Sequence, residues 1–332
     1  MSSEEDFIVV SQKIIGLESF RMNQFLPVSI ITPVFNGELY LRDFLLNISK
    51  QTFKDFELIF VDDGSSDKSA EIVTSFMVHD ARIKLLEQKH FGAARARNYG
   101  ITKAKGKYLL FLDSDDLFEE TFIERMYNTA ISDGSEIVVS GYSKVDFNTG
   151  KLIAKSLPRS GIYLQNELTK TLFQRTNPAP WNKLFSKDLI ERENLKFQDL
   201  KTCNDLSFVF IALSKASKIS FINQSLVLYR VNVPRSISSG RGFYSENLIK
   251  AVLCVMKSLQ DANVFFKYKG SLLSSLSSSI IYELGNCPTI ARKLEFLFNC
   301  IYQFGPVILF SILKTVVLRG IRKVKLFLQS IT

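Results

Sequence analysis

Asp113, Ser114, Asp115 and Asp116 follow directly on the apolar run KYLLFL (residues 107–112). Burying an unpaired carboxylate is costly enough that the group usually neutralises instead, so three acids at the end of a buried segment need compensation. Asp113 and Asp115 stand two residues apart where a strand ends, so their side chains leave on the same side and can meet at one point. Paired hard oxygens of this kind suit Mn2+ or Mg2+, which keep waters and complete their shells with phosphate oxygens. A cap on a helix starting near Leu117 is the competing use; it fits Asp116, but a cap needs one acid and three are present.

A second acidic strand end is DDGSSD (residues 62–67). Turn chemistry and a helix cap account for Ser66 and Asp67. Asp62 and Asp63 repeat the strand-end pattern, and a carboxylate there can accept a hydrogen bond from a base N–H or a ribose hydroxyl. The first strand ends in a third polar loop, TPVFNG (residues 32–37).

The elements that must position these loops alternate regularly. Strands are predicted over 28–32, 56–61, 82–87 and 107–112, and helices over 38–50, 67–78 and 93–104. That rhythm implies an α/β fold with a mostly parallel twisted sheet, whose ligands sit outside the carboxyl ends of the strands. Beyond Ser140 the rhythm weakens. A helix is predicted within 161–176, a loop around Pro178, Pro180 and Trp181, a helix over 206–215, a strand pair over 219–231, and helices from Phe243 onward with breaks at Gly285/Pro288 and Gly305-Pro306.

Composition sets outer limits. The chain has 332 residues, 46% hydrophobic and 23% charged, as a folded protein has, and its net charge of +9 favours an anionic partner. The acidic start MSSEEDFIVV lacks the form of a secretory signal, and the dispersed cysteines Cys203, Cys254, Cys287 and Cys300 suggest neither a zinc site nor a disulfide framework. A reducing cytosol is the expected location.

The segments VSIITPVFNGELYLRDFLLNISKQTFKDFELIFVDDGSSD and FGAARARNYGITKAKGKYLLFLDSDD resemble, in order and spacing, the nucleotide-sugar-binding half of a family 2 glycosyltransferase with the GT-A fold. The resemblance implies inverting transfer of one sugar from a nucleoside diphosphate donor, UDP by family frequency, with a divalent metal on the diphosphate. It further implies that Pro33 and Phe35 flank the base and that Asp63, or its neighbour Asp62, hydrogen-bonds it. Arg97 would lie near the nucleotide, Asp113 and Ser114 would face the ribose and metal region, and Asp115 would ligate the metal directly. A surface or packing role is the alternative for Arg97.

PAPWNKLFSKDLIERENLKF and CNDLSFVFIALSKASKISFINQSLVLYRV are similar to the acceptor half of bacterial members. Where those members have Glu-Asp, this chain has Asn204-Asp205, and the second acid is the one the family uses as catalytic base. Its alternative use is the N-cap of the following helix. Trp181 could stack on an acceptor sugar or anchor a loop, and Arg230 and Arg235 could serve the diphosphate from a mobile loop or lie solvated. His79 and His90 are expected at the surface. The QxxRW signature of processive synthases is absent, which favours transfer of single sugars.

The expected organisation is an N-terminal extension (1–26), a GT-A domain (27–240, divided at 140) and a helical C-terminal region (241–332). Beyond Glu295 the chain carries no acid. Lys314, Arg319, Arg322, Lys323 and Lys325 project to one half of a helix and Leu313, Val316, Val317, Ile321, Val324, Phe327 and Leu328 to the other, a pattern that suits an anionic membrane interface or packing on the domain. A saccharide acceptor, lipid-linked, and a peripheral place on the inner face of the cell membrane follow as expectations. Nothing supports a nucleic-acid partner, and no oligomeric state is implied. A nucleotidyltransferase would need a glycine-rich phosphate loop that TPVFNG is not, and a non-catalytic binding module would have no use for Asp113, Asp115 and Asp205 together.

Overall fold

The computed structural model describes residues 26–234 and 246–317. The N-terminal extension, Arg235 and the basic positions from Arg319 onward lie outside the described residues.

The nucleotide half alternates β1 (Val28–Val34), α1 (Leu41–Ser49), β2 (Phe56–Asp62), α2 (Ser69–Met77), β3 (Ile83–Glu87), α3 (Ala93–Lys103) and β4 (Tyr108–Phe111). After it come β5 (Leu117–Phe118), α4 (Phe122–Asp133), β6 (Ile137–Asp146), β7 (Leu152–Ser156), β8 (Gly161–Leu164), α5 (Leu172–Arg175), β9 (Lys183–Ser186), α6 (Lys187–Arg192), α7 (Asn204–Lys215) and β10 (Lys218–Val231). The remainder is helical: α8 (Glu246–Asp261), α9 (Phe265–Asn286), α10 (Ile290–Phe304) and α11 (Val307–Val317).

One sheet runs β3-β2-β1-β4-β9-β6-β10-β5, with β7 beside β6 and β8 beside β10. It is parallel from β3 to β4, but β9 pairs antiparallel with both β4 and β6, so the whole sheet is mixed. Alternating residues of one strand feed opposite cores: Ile30, Leu58, Phe60 and Leu110 pack on one face, and Ile31, Ile59, Val61 and Phe111 on the other. That second core continues without interruption into α8, α9 and α10, through Leu248, Leu272 and Phe296. Gly100 makes the inner face of α3 fit, since a Cβ there would come within 2.4 Å of Ile31 Cγ2.

Three expectations change. Residues 161–176 hold β8 and the single turn α5 rather than one helix, because β8 finds an antiparallel partner in β10. Residues 219–231 form one strand, not a pair; register shifts between Ile222 and Val227 absorb the polar interruption Asn223-Gln224. Leu117 lies in β5 and the next helix starts only at Phe122, so Asp116 caps nothing there.

Candidate active site

The loops after β1, β2 and β4 leave the same edge of the sheet, as their parallel register requires. At the β4 end, carboxylate oxygens of Asp113, Asp115 and Asp116 lie within 4.8 Å of one another. Asp116 is fully buried; one oxygen accepts the Arg230 backbone N–H at 2.8 Å, and the other has no partner among the described residues. Burial, and then the charges of Asp115 and Asp113, hold its pKa well above the usual carboxylate range. Burial, followed by the Asp113 charge, pushes Asp115 up to about 7. Burial, followed by the charges of Asp115, Asp67 and Asp113, pushes the Tyr40 hydroxyl up to about 12, where it remains a proton donor beside Ser114.

The cations present leave part of this charge uncompensated. Arg97 reaches Asp113 Oδ1 at 2.6 Å. Arg230 donates through Nε to the Asp115 carbonyl and lies 3.3 Å from Asp43 through Nη1, while its buried Nη2 has no partner among the described residues. Arg230 is therefore neither solvated nor part of a mobile loop: it is a buried strand residue whose guanidinium braces the acidic loop. Three crowded carboxylates, one with an orphaned buried oxygen, form the donor set that a hard divalent cation fits.

The β2 end is built differently. Asp63 Oδ1 accepts from Gln88 Nε2 and Phe91 N, and Oδ2 accepts from Gly92 N and lies 2.9 Å from His90 Nδ1. All four acceptor positions are thus engaged in ordering the loop 88–92. Asp62 accepts from Ser65 N and Oγ through one oxygen, and no donor is seen at the other among the described residues. His90 does sit largely exposed, but not idly: its ring stacks on exposed Phe35 with centroids 4.0 Å apart, at the rim beyond half-buried Pro33. Its use was illegible in sequence, since it stands alone there.

α3 ties the two halves together. Arg97 is buried and donates also to Asn204 Oδ1 at 3.2 Å, so one guanidinium spans the β4 acids and the first turn of α7. The surface role for Arg97 is thereby replaced. Asn98 exchanges two hydrogen bonds with the Phe197 backbone, and Arg95 pairs with Asp199 at 2.6 Å. Sequence reading missed Asn98 and Tyr40; an amide on a helix or a tyrosine in a loop carries no spacing signal.

Asp205 lies inside the first turn of α7, whose N-cap is Cys203, so the N-cap alternative for Asp205 is corrected. The Cys203 backbone at φ 57° turns the chain sharply enough to start a helix at Asn204. Beneath it, Lys183 is fully buried with Nζ surrounded by Asn177 O, Asn177 Oδ1, Ala179 O and Asn182 Oδ1. Burial pulls the Lys183 pKa down to about 7, against the opposing Asp205 charge. Trp181 is buried, stacked on Tyr229 at 5.1 Å and edge-on to Tyr142 at 4.9 Å. It anchors the loop to the sheet and offers no face to a sugar.

The profile of "Glycosyl transferase family 2" matches residues 29–193, and 30% identity joins the chain to the putative glycosyltransferase EpsH of Bacillus subtilis over 74% of this chain and 72% of that one. The chain belongs to glycosyltransferase family 2. It is likewise 31% identical to the uncharacterized glycosyltransferase EpsJ of B. subtilis, over 64% of this chain but under two thirds (62%) of EpsJ. Glycosyltransferase GlyG of Streptococcus pneumoniae is 32% identical over 61% of this chain and 70% of its own length.

Among solved structures, S. aureus TarS residues 1–349 with UDP-GlcNAc superposes at TM-score 0.62 and 17% identity, covering 87% of this chain and 88% of that one. Mannosyltransferase PcManGT from Pyrobaculum calidifontis, solved with GDP-Man and Mn2+, superposes at TM-score 0.55 and 12% identity over 89% and 88%. The architecture of this glycosyltransferase is the GT-A fold, with helices following it.

Proposed function

We propose that this glycosyltransferase moves a single sugar, with inversion, from a UDP-hexose or UDP-N-acetylhexosamine to a saccharide acceptor. The observation that carries the reading is the Arg97 bridge, in which one guanidinium bonds both Asp113 of the β4 acids and Asn204 of the α7 turn that bears Asp205. The UDP-GlcNAc and the GDP-Man with Mn2+ named for the two structural neighbours support a nucleotide-sugar donor.

In this reading the base lies against Pro33 and Phe35. Its N–H is accepted by the second oxygen of Asp62, or by Asp63 once His90 yields; the His90 side chain is 58% exposed and stacks on Phe35. Asp115 and Asp113, with Ser114 between them and Asp116 beneath, would hold Mn2+ or Mg2+, which would offset charge on the departing diphosphate. Arg97 holds Asp113 in place, and Arg230 braces the loop.

Inversion requires attack from the side opposite the leaving group. Asp205 takes the proton from the acceptor hydroxyl as the anomeric carbon passes through an oxocarbenium-like state. The acceptor in this reading is lipid-linked, in cell-surface polysaccharide or glycoconjugate synthesis at the inner face of the cell membrane.

Asp205→Asn tests the base. UDP affinity and melting temperature should stay near those of the parent, and transfer should fall about two to four orders of magnitude. Undiminished transfer would end the assignment.

A further inference from the structure

α11 is amphipathic in the wrong sense for a helix in water. Its inward side carries Ile308, Ser311, Ile312 and Thr315, with Ser311 Oγ bonded to Ser277 Oγ of α9 at 2.7 Å and near the Leu273 carbonyl at 3.3 Å. Its outward side carries Phe310, 71% exposed, with Leu313, Val316 and Val317. The small serines of α9 let α11 approach closely while its large apolar side chains point away. Along α10 the exposed surface divides by angle: Ile290, Leu294, Phe298 and Tyr302 recur every four residues on one flank, and Arg292, Glu295, Asn299 and Gln303 form another.

Gly305, at φ 75°, and Pro306 end α10, and the chain turns by 119° into α11. No single helix among the described residues is long and apolar enough to cross a membrane. At 1.5 Å per residue the two helices reach about 22 Å and 16 Å, well short of the roughly 30 Å hydrocarbon core.

We infer that the outward faces of α10 and α11 form a bent apolar surface that embeds in one leaflet of an anionic lipid bilayer, without crossing it. The occupant follows from charge. Lys314 borders the apolar face, the sequence continues into Arg319, Arg322, Lys323 and Lys325, and no acid follows Glu295. A two-fold contact with a second copy would bring two such basic runs together, whereas an anionic bilayer presents an apolar layer beneath a negative surface. Membrane attachment of the enzyme rests in this way on the helix pair as well as on the basic end. It stands independently of the donor and base assignments.

The test uses the full chain with vesicles of phosphatidylcholine alone or with added phosphatidylglycerol. Co-sedimentation should be at least about tenfold stronger with the anionic vesicles, and Phe310→Asp with Leu313→Asp should abolish it while nucleotide-sugar hydrolysis stays at the parent level. Phe310→Trp provides a readout that needs no disruptive change: brominated acyl chains should quench it while Trp181 alone, in the parent chain, stays unquenched. An unquenched Trp at 310, equal binding to neutral vesicles, or a dimer that the Asp pair converts to monomer without affecting vesicle binding would each overturn the inference. Loss of hydrolysis in the parent chain would instead strike the catalytic reading and leave this one standing.

Discussion

The ends of β2 and β4 look alike in sequence, each an apolar strand running into paired aspartates, yet they are opposite electrostatic objects. After β2, Asp63 is saturated by donors from the loop 88–92, two of them backbone N–H groups. After β4, Asp113, Asp115 and Asp116 crowd together with a buried oxygen unpaired, and two of the three are driven toward the protonated state by burial. In the first arrangement the protein itself satisfies Asp63, which stabilises a loop, and among the described residues leaves open only the second oxygen of Asp62. The second is left incomplete by the described residues. A doubled acid at a strand end therefore marks a ligand site only where the chain leaves it short of donors.

The same substitution at each end separates them. Asp115→Asn should weaken Mn2+-dependent UDP binding by about a hundredfold or more, with transfer falling in step, while the metal-free fold is unchanged or slightly more stable because one repelling carboxylate is gone. Calorimetric titration of UDP with and without Mn2+ measures it, and a mutant with the parent's metal dependence would remove Asp115 from the site. Asp63→Asn should do the reverse. An amide nitrogen would meet the Gly92 N–H, costing about 1–3 kcal/mol of stability, while metal dependence survives. Denaturant melts decide this, and a mutant as stable as the parent would show that the four donors contribute nothing.

The smallest effect is in pH. Asp115 ionises near 3.8 in the unfolded chain and about 7 in the fold, so between those values the folded state binds the extra proton. Stability of the metal-free protein should fall as pH rises across that window, by about 1 kcal/mol after allowance for solvent screening of a partly exposed group. Glu57 runs the other way. Lys84, Ser29 and the Lys105 N–H overcome its burial and lower its pKa, so its contribution is present at neutral pH and lost as pH falls through the acid range. Melting curves from pH 5 to 8 should show the decline without metal, a reduced decline in Asp115→Asn, and reversal with saturating Mn2+, which binds the ionised carboxylate. A flat profile in the metal-free parent would mean that Asp115 is solvated and its crowding unimportant.

The nucleotide half was legible because it is local. Its strands β1, β2 and β4 are short apolar runs with both faces buried, each helix follows within a few residues, and parallel order then forces the three loops onto one edge. The acceptor half was not, because β8 and β9 are short and owe their state to partners distant in sequence. Trp181 shows the same limit. Nothing in PAPWN distinguishes a ring that meets a sugar from one stacked on Tyr229, 48 positions away.

Sequence alone determined the family resemblance, the three polar loops, the acids Asp113, Asp115 and Asp205, and the basic end of the chain, because motif order and charge are properties of the string. Tertiary structure decided which acids are satisfied, that Arg97 bonds both Asp113 and, 107 residues along the chain from itself, Asn204, that Arg230 is buried, and that α11 turns its apolar side outward. The physical reason is one and the same. A residue's type fixes what it can donate, accept or bury, but whether that capacity is met depends on neighbours that only the folded chain brings within a few ångströms.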